Sequence, residues 1–378
     1  MSFPISILYT LPNFITAGSG RVVLNIVQRL NRDKFAPAIC VLQKGGRLDQ
    51  EVEKLGIPFI EAAFTVPATP RYGLMGNAWR AAQVFKPYRF NLWHSFHYLD
   101  DYTEPVIARL AGARAWVFNK KNMAWNRRSW YLRTLLATRV IVRNKFMLEN
   151  YFSNFLFRKK ARLIPLGIDA QTFQPHVPPR LQLRNTFHIP PEAITITSIS
   201  NLVPLKKHEV LIRALAQVPE GHLLLAGSPL DRIYTESLHQ LASELNLTGR
   251  VHFLDKVDDV PALLAESDIF ALPSLSEGLS SALLEAMACG KACVATDIPG
   301  SNEALEQNVN GLLVPVDETH PLAEALQKLA ISPSLRAALG TAARATVLRR
   351  YTVDKEIESL EAFYEEALSA GRSWGMGR

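Results

Sequence analysis

The sequence predicts an α/β protein made of two open parallel sheets, each covered by helices. Three observations carry this. Short apolar strands alternate with stretches of helical spacing along nearly the whole chain. The alternation restarts after a proline-rich stretch, Gln174-Pro175-His176-Val177-Pro178-Pro179. The chain has 378 residues, which at roughly 100–200 residues per domain suits two domains. The expected division is an N-terminal domain over 1–185 and a C-terminal domain over 186–378, with the last helix able to cross back to the first. Uninterrupted apolar strands are buried on both faces, which requires a parallel sheet between helix layers. Ligands of such sheets bind beyond the carboxyl ends of the strands, so the cleft between two facing domains is the expected site.

The elements follow in order. Ile5–Tyr9 reads as the first strand. A turn containing Gly18, Ser19 and Gly20 follows, and then a helix over Val22–Leu30. Ala38–Leu42, Phe59-Ile60, Phe90–Trp93, Ala115–Phe118, Val140–Val142 and Arg162–Ile164 read as strands, with helices at Asp49–Leu55 and Glu104–Leu110. In the second series the strands are Thr195–Ser200, His222–Ala226, Val251–Leu254, Ile269–Leu272 and Ala292–Ala295. The helices are Glu209–Gln217, Tyr234–Leu245, Val260–Ala265 and Ser281–Cys289.

Composition narrows the class. Hydrophobic residues make up 48% and charged residues 20%, which excludes a disordered chain. The sequence contains no apolar run of about 18 residues, as a spanning helix would need. The start lacks a basic segment and reads as a strand rather than a secretory signal. The three cysteines, Cys40, Cys289 and Cys293, are too few for a disulfide framework and fit a reducing cytoplasm. Charge is uneven: residues 1–185 carry a net +17 and residues 186–378 a net −10. The excess concentrates between Arg71 and Arg162, which attracts anionic partners. No helix-turn-helix, zinc-finger or RRM-type signature accompanies it, so nucleic acid is not expected.

The densest chemistry lies in Pro273-Ser274-Leu275-Ser276-Glu277-Gly278-Leu279-Ser280-Ser281-Ala282-Leu283-Leu284-Glu285. A strand end, a glycine-containing loop and a serine-capped helix follow one another, with Ser281 read as the cap. Free backbone N–H groups and the positive helix end suit a phosphate. Carboxylates at Glu277 and Glu285 can accept hydrogen bonds from sugar hydroxyls. No Asp-x-Asp occurs; Asp100-Asp101 and Asp258-Asp259 are adjacent pairs, so a bound phosphate is not expected to be held by a metal.

This segment resembles the E-x7-E signature of the retaining, nucleotide-sugar glycosyltransferases of family 4. The resemblance continues in Gly290–Glu303 and Asn310–Pro315, and upstream in Asn201–Glu209, Leu223–Pro229 and Ile164–Asp169. It implies a GT-B fold, two Rossmann-like β/α/β domains with parallel sheets facing an interdomain cleft. It also implies transfer of a sugar from a UDP- or GDP-linked donor, without a cofactor, in cell-envelope polysaccharide synthesis. By the resemblance, Lys206 meets the donor diphosphate, helped by Asn201, Gly278, Leu279, Ser280 and Ser281. Gly18 and Ser19 touch the same diphosphate from the first domain. Glu285 binds the ribose hydroxyls, Glu277 the transferred sugar, and His97, with His94 as the alternative, stands on the acceptor side. Two positions depart from the pattern: Asn201 aligns where many relatives have Arg, and Gly20 where they often have Glu.

The acceptor is expected to be a saccharide or a lipid-linked saccharide. Aromatic and basic residues interleave from Trp116 to Arg162, and Met147–Lys160 sets rings beside a basic cluster. That mix suits the headgroup region of an anionic membrane, so the expected location is cytoplasmic and peripheral on the inner membrane face. Two other readings share these residues. One is a silent binding protein on the same fold. The other is a sugar-phosphate epimerase or inverting transferase, which has no need of the paired acids.

Overall fold

The computed structural model describes residues 4–15, 17–46, 48–69, 73–97, 101–125 and 128–371. The chain forms two compact units, Met1–Pro165 with Val353–Arg378, and Leu166–Thr352.

The first unit runs β1 (Ile5–Leu11), α1 (Ala17–Arg29), β2 (Phe35–Val41), α2 (Asp49–Glu53), β3 (Phe59–Glu61), α3 (Leu74–Phe85) and β4 (Leu92–Ser95). It continues with α4 (Glu104–Leu110), β5 (Ala115–Lys120), α5 (Arg128–Leu136), β6 (Arg139–Val142), α6 (Lys145–Tyr151) and β7 (Ala161–Leu163). The described strands form a parallel sheet in the order β3-β2-β1-β4-β5-β6-β7. The period of two sends successive side chains to opposite cores. Ile7, Tyr9 and Leu11 join one cluster, while Leu8 joins the other with Trp93 and Trp116.

The second unit runs α7 (Leu183–Thr186), β8 (Ile194–Ile199), α8 (His208–Leu215), β9 (Gly221–Ala226), α9 (Arg232–Glu244), β10 (Val251–Phe253) and α10 (Val260–Ala265). It continues with β11 (Ile269–Leu272), α11 (Ser281–Ala288), β12 (Ala292–Thr296), β13 (Leu312–Val314), α12 (Thr319–Ala330) and α13 (Pro333–Arg350). Its parallel sheet has the order β10-β9-β8-β11-β12-β13. Leu322, Ala323, Leu326 and Leu329 give α12 a buried stripe at helical spacing. The last helix, α14 (Val353–Gly371), belongs to the first unit: Ile357, Leu360, Phe363 and Tyr364 pack into its core beside Tyr9.

The unit boundary lies at 165/166 and 352/353, where the sequence expectation puts it at 185/186 with the last helix able to cross back. Hydrogen bonds account for the difference. Arg143 Nη1 ties the carbonyls of Ile164 and Pro165 to the first unit at 3.0 and 3.3 Å and reaches Glu356 Oε1 of α14 at 2.7 Å. Beyond Pro165 the chain bonds to the second unit, through Ile168 N to Tyr351 O at 2.7 Å and Arg344 Nη1 to Phe173 O at 3.1 Å. The proline-rich stretch is therefore a surface connection within the second unit.

Other local differences are smaller. Helix α1 starts at Ala17, so Gly18 and Ser19 stand in its first turn rather than in a loop. Strand β4 spans Leu92–Ser95 rather than 90–93, because Asn91 Oδ1 accepts from Ser6 N at 2.9 Å just ahead of the strand. The cap of α11 is Ser280, whose hydroxyl accepts from Leu283 N, and Ser281 is the first helical residue.

Candidate functional site

In the second unit, Pro204–Lys206 forms one 3-10 turn after β8, and the 273–280 loop follows β11. Leu275 N donates to Leu205 O at 2.9 Å and joins the two segments. Lys206 Nζ then meets Glu277 Oε1 at 2.6 Å, and Ser274 Oγ donates to the same oxygen at 2.8 Å. Gly300 holds the loop from beneath: a Cβ there would lie 2.7 Å from Glu277 O and 2.9 Å from Gly278 O, so no larger residue fits without moving the loop.

Helix α11 starts four residues after Glu277. Among the described residues, nothing accepts from the N–H groups of Leu279, Ser280 and Ser281. Those donors and the positive helix end mark an anion site. Glu285 is the fifth residue of α11. Its carboxyl has no hydrogen-bond partner among the described residues, and burial pushes it up to about 7. Asn201 is exposed. Behind it, Ser200 Oγ bonds His208 Nε2 at 2.9 Å, and burial lowers His208 to about 4. Among the described residues no group of three or more His, Cys, Asp or Glu side chains converges as a metal site would require.

In the first unit the two histidines separate. His94, within β4, turns to the core that holds α14, and its Nδ1 lies 2.8 Å from Tyr364 Oη. It is fully buried, and burial drops it to about 3. His97 lies two residues past β4 and turns the other way, with its ring stacked on Phe64 at 5.4 Å between centroids. Its Nε2 stands 2.7 Å from Glu104 Oε2. Glu104 Oε1 accepts from Trp93 Nε1 at 2.9 Å and from Thr10 Oγ1. Arg133 Nη2 donates to Glu104 Oε2 at 3.3 Å and to Ser95 Oγ at 2.7 Å, while Nη1 donates to Asp101 O at 2.7 Å. Burial alone would raise Glu104, but His97, Arg133 and Thr10 outweigh it and hold the carboxyl at about 2. Burial lowers His97 and keeps it neutral.

Glu104 and Arg133 escape sequence reading: one looks like a first-turn helix acid, the other like one more residue of a basic run. At the other edge, Ser19 Oγ accepts from Lys121 Nζ at 2.9 Å, and Phe96 O accepts from the same nitrogen at 2.6 Å. Gly18 is exposed. Gly20 packs on Phe14, whose Cδ1 would lie 2.7 Å from an added Cβ; a Glu would not fit there in this packing.

The basic run is partly internal. Arg133 and Arg143 are buried on Glu104 and Glu356, and Arg139 and Arg162 both pair with Glu366. Lys160 Nζ caps α5 through the carbonyls of Thr134, Leu135 and Ala137. Met147, Phe152 and Phe157 are core residues, whereas Phe146, Phe155 and Leu156 are exposed. Arg128, Lys145, Arg158 and Lys159 are exposed too. No helix among the described residues is long and apolar enough to cross a membrane.

Known proteins share sequence and fold with this chain. Residues 16–172 match the model of Glycosyltransferase Family 4, and residues 180–346 match that of Glycosyl transferases group 1. The two matches lie side by side and together span most of the chain. It is 31% identical over 223 residues to a D-inositol 3-phosphate glycosyltransferase of Saccharomonospora viridis, covering 56% of this chain and 51% of that protein. The chain thus spans about half the length of the curated relatives it matches. A glycosyltransferase from Rickettsia africae has the same fold, with a TM-score of 0.84 at 20% identity over 97% of this chain and 99% of that one. So does Anabaena HepE in complex with UDP and glucose, with a TM-score of 0.82 at 21% identity over 96% of this chain and all of that one. The fold is GT-B.

Proposed function

We propose that this protein is a glycosyltransferase that moves a sugar from a nucleoside-diphosphate donor to a saccharide or lipid-linked acceptor, with retention and without a metal. The observation that carries the reading is the Lys206–Glu277 pair, together with the N–H groups of 279–281 and the carboxyl of Glu285, which have no partner among the described residues. A nucleotide sugar presents three matching features: an anionic diphosphate, ribose hydroxyl donors and a ring of sugar hydroxyls. HepE, in complex with UDP and glucose, supports a UDP-linked donor here.

In this reading the bond between the anomeric carbon and the phosphate oxygen breaks, and its electron pair stays on the diphosphate. Lys206 and the α11 N–H groups stabilise that growing charge, as preorganised donors do. An acceptor hydroxyl oxygen bonds the anomeric carbon on the same face and passes its proton to the departing phosphate oxygen. Glu277 orients the sugar, Glu285 the ribose, and His97 accepts from a hydroxyl of the reacting sugar. The outward basic and aromatic residues of α5, α6 and 153–159 hold the enzyme on an anionic membrane face, beside a lipid-linked acceptor.

A panel of UDP- and GDP-sugars, scored by thermal shift and consumption and followed by NMR of the product anomer, tests the reading. Binding and turnover of one donor with a retained anomer is expected. No shift and no consumption with any of them overturns it.

A further inference from the structure

We propose that Glu104 is a positioning residue: it fixes His97 as the neutral tautomer protonated at Nε2, so that Nδ1 is offered as a lone-pair acceptor to a hydroxyl of the sugar. The inference rests on the sugar-transfer reading for the identity of the donor hydroxyl, and on this unit's geometry for everything else.

Glu104 Oε1 takes Trp93 Nε1 and the Thr10 hydroxyl; Oε2 faces Arg133 Nη2 and His97 Nε2. An ionised carboxylate has about four acceptor sites and no proton to give. Four donors fill it. Arg133 Nη2 lies 3.5 Å from His97 Nε2, but the carboxylate oxygen is much nearer, and a bare nitrogen lone pair at 2.7 Å from that oxygen would repel it, so His97 Nε2 carries the hydrogen. Arg133 answers the charge of Glu104, and burial keeps His97 neutral, so its two ring nitrogens share one proton. The proton is therefore absent from Nδ1. That atom is buried and has no partner among the described residues. A buried acceptor without a donor is destabilising, and a hydroxyl delivered by a ligand satisfies it. Phe64 fixes the ring plane from one face. Because Glu104 sits at the start of α4 and bonds β1 and β4 residues as well, the ring orientation is set by three elements at once.

The test has two arms on the full chain. Long-range 15N–1H NMR of the histidine-labelled wild type, without substrate, reads the tautomer directly. A single Nε2–H form is expected from pH 6 to 8; an Nδ1–H form overturns the proposal, whatever the enzyme's activity. The second arm is a double-mutant cycle of E104Q and H97A in the transfer assay. E104Q is expected to lower kcat by about tenfold or more with donor KM changed by less than about threefold, and to cost less than about twofold in the H97A background. Equal losses in both backgrounds would mean that Glu104 acts on stability alone. If E104Q fails to fold, the wild-type spectrum still decides. If no sugar is transferred by the wild type, the function reading fails while the tautomer result stands.

Discussion

Lys206 Nζ and Glu277 Oε1 lie 2.6 Å apart, so the cation proposed for the diphosphate already has a partner before a donor arrives. Both side chains are mostly buried, and the pair holds the loop ahead of α11 in place. A diphosphate shares that cation rather than meeting it bare. Lys206→Ala removes a charge-assisted contact worth about 1.5–3 kcal/mol and is expected to lower transfer by about tenfold or more. Glu285→Ala is expected to do the same through the ribose. Circular dichroism should show both variants folded; near-normal turnover by both would dismiss the site.

Glu285 carries a pH signature. Its carboxyl is raised by burial to about 7. Between roughly pH 4.5 and 7 the folded chain keeps a proton that the unfolded chain has released, so stability falls as pH rises through that window. Glu285→Gln removes this dependence. The variant is expected to match the wild type near pH 4 and to exceed it above pH 7 by on the order of 2 kcal/mol. Denaturant unfolding of both proteins across that range measures it. Parallel curves at every pH would contradict the assignment.

Helix α14 is fastened by charge as well as by packing. Arg143 and Glu356 form a buried pair at 2.7 Å, and Tyr364 Oη reaches both His94 and Tyr9. Removing one partner strands the other charge, so Glu356→Ala is expected to destabilise the protein by about 3–5 kcal/mol. Tyr364→Phe should cost about 1 kcal/mol, by leaving His94 Nδ1 without its bond. Urea midpoints at pH 7 check the order; a larger loss in Tyr364→Phe would refute it.

Every strand but β13 was legible because parallel strands buried on two faces leave short, unbroken apolar runs, as in Ile269–Leu272; β13, only Leu312–Val314, was not read as a strand. The loop from Pro273 to Glu285 was legible because its residue types and spacing are local. The unit boundary was not, because it is fixed by hydrogen bonds from Arg143 and Arg344 to carbonyls far away in sequence. Nor were the roles of the basic residues. Arg133 and Arg128 lie on one helix, yet one is sealed on Glu104 and the other faces water. A net charge counts both alike. The cap of α11 differs by one residue, since Ser280 and Ser281 offer the same hydroxyl and only backbone angles choose between them.

Donor chemistry without a metal predicts that transfer survives EDTA. Turnover within about twofold of the untreated enzyme is expected, because Lys206 and the α11 N–H groups supply the charge that an ion would otherwise supply. Loss of activity that only Mg²⁺ or Mn²⁺ restores would contradict this.

The membrane reading now has specific residues. Phe155 is 79% exposed and Leu156 51%, on the segment between α6 and β7. The Arg158 guanidinium sits 5.5 Å from the Phe155 ring centre, and Lys159 is exposed beside it. Tyr131 packs edge-on to Phe157, which puts the exposed Tyr131 of α5 close to this segment, with Leu135 one turn further along the helix. Exposed rings next to exposed cations suit an anionic bilayer: the rings enter the interface and each cation near the surface adds about 1 kcal/mol. Many other cations of this unit are bound internally, so the attraction should rest on few residues and be sensitive to single changes. Phe155→Ser with Leu156→Ser, and separately Arg158→Glu with Lys159→Glu, are each expected to cut co-sedimentation with anionic vesicles at low salt by about fivefold or more. Neutral phosphatidylcholine vesicles should bind weakly in every case. Soluble-donor hydrolysis should be unchanged in both variants, since none of the four residues belongs to the donor or His97 site. Equal, negligible sedimentation with anionic and neutral vesicles would reject membrane attachment and leave the sugar-transfer reading standing.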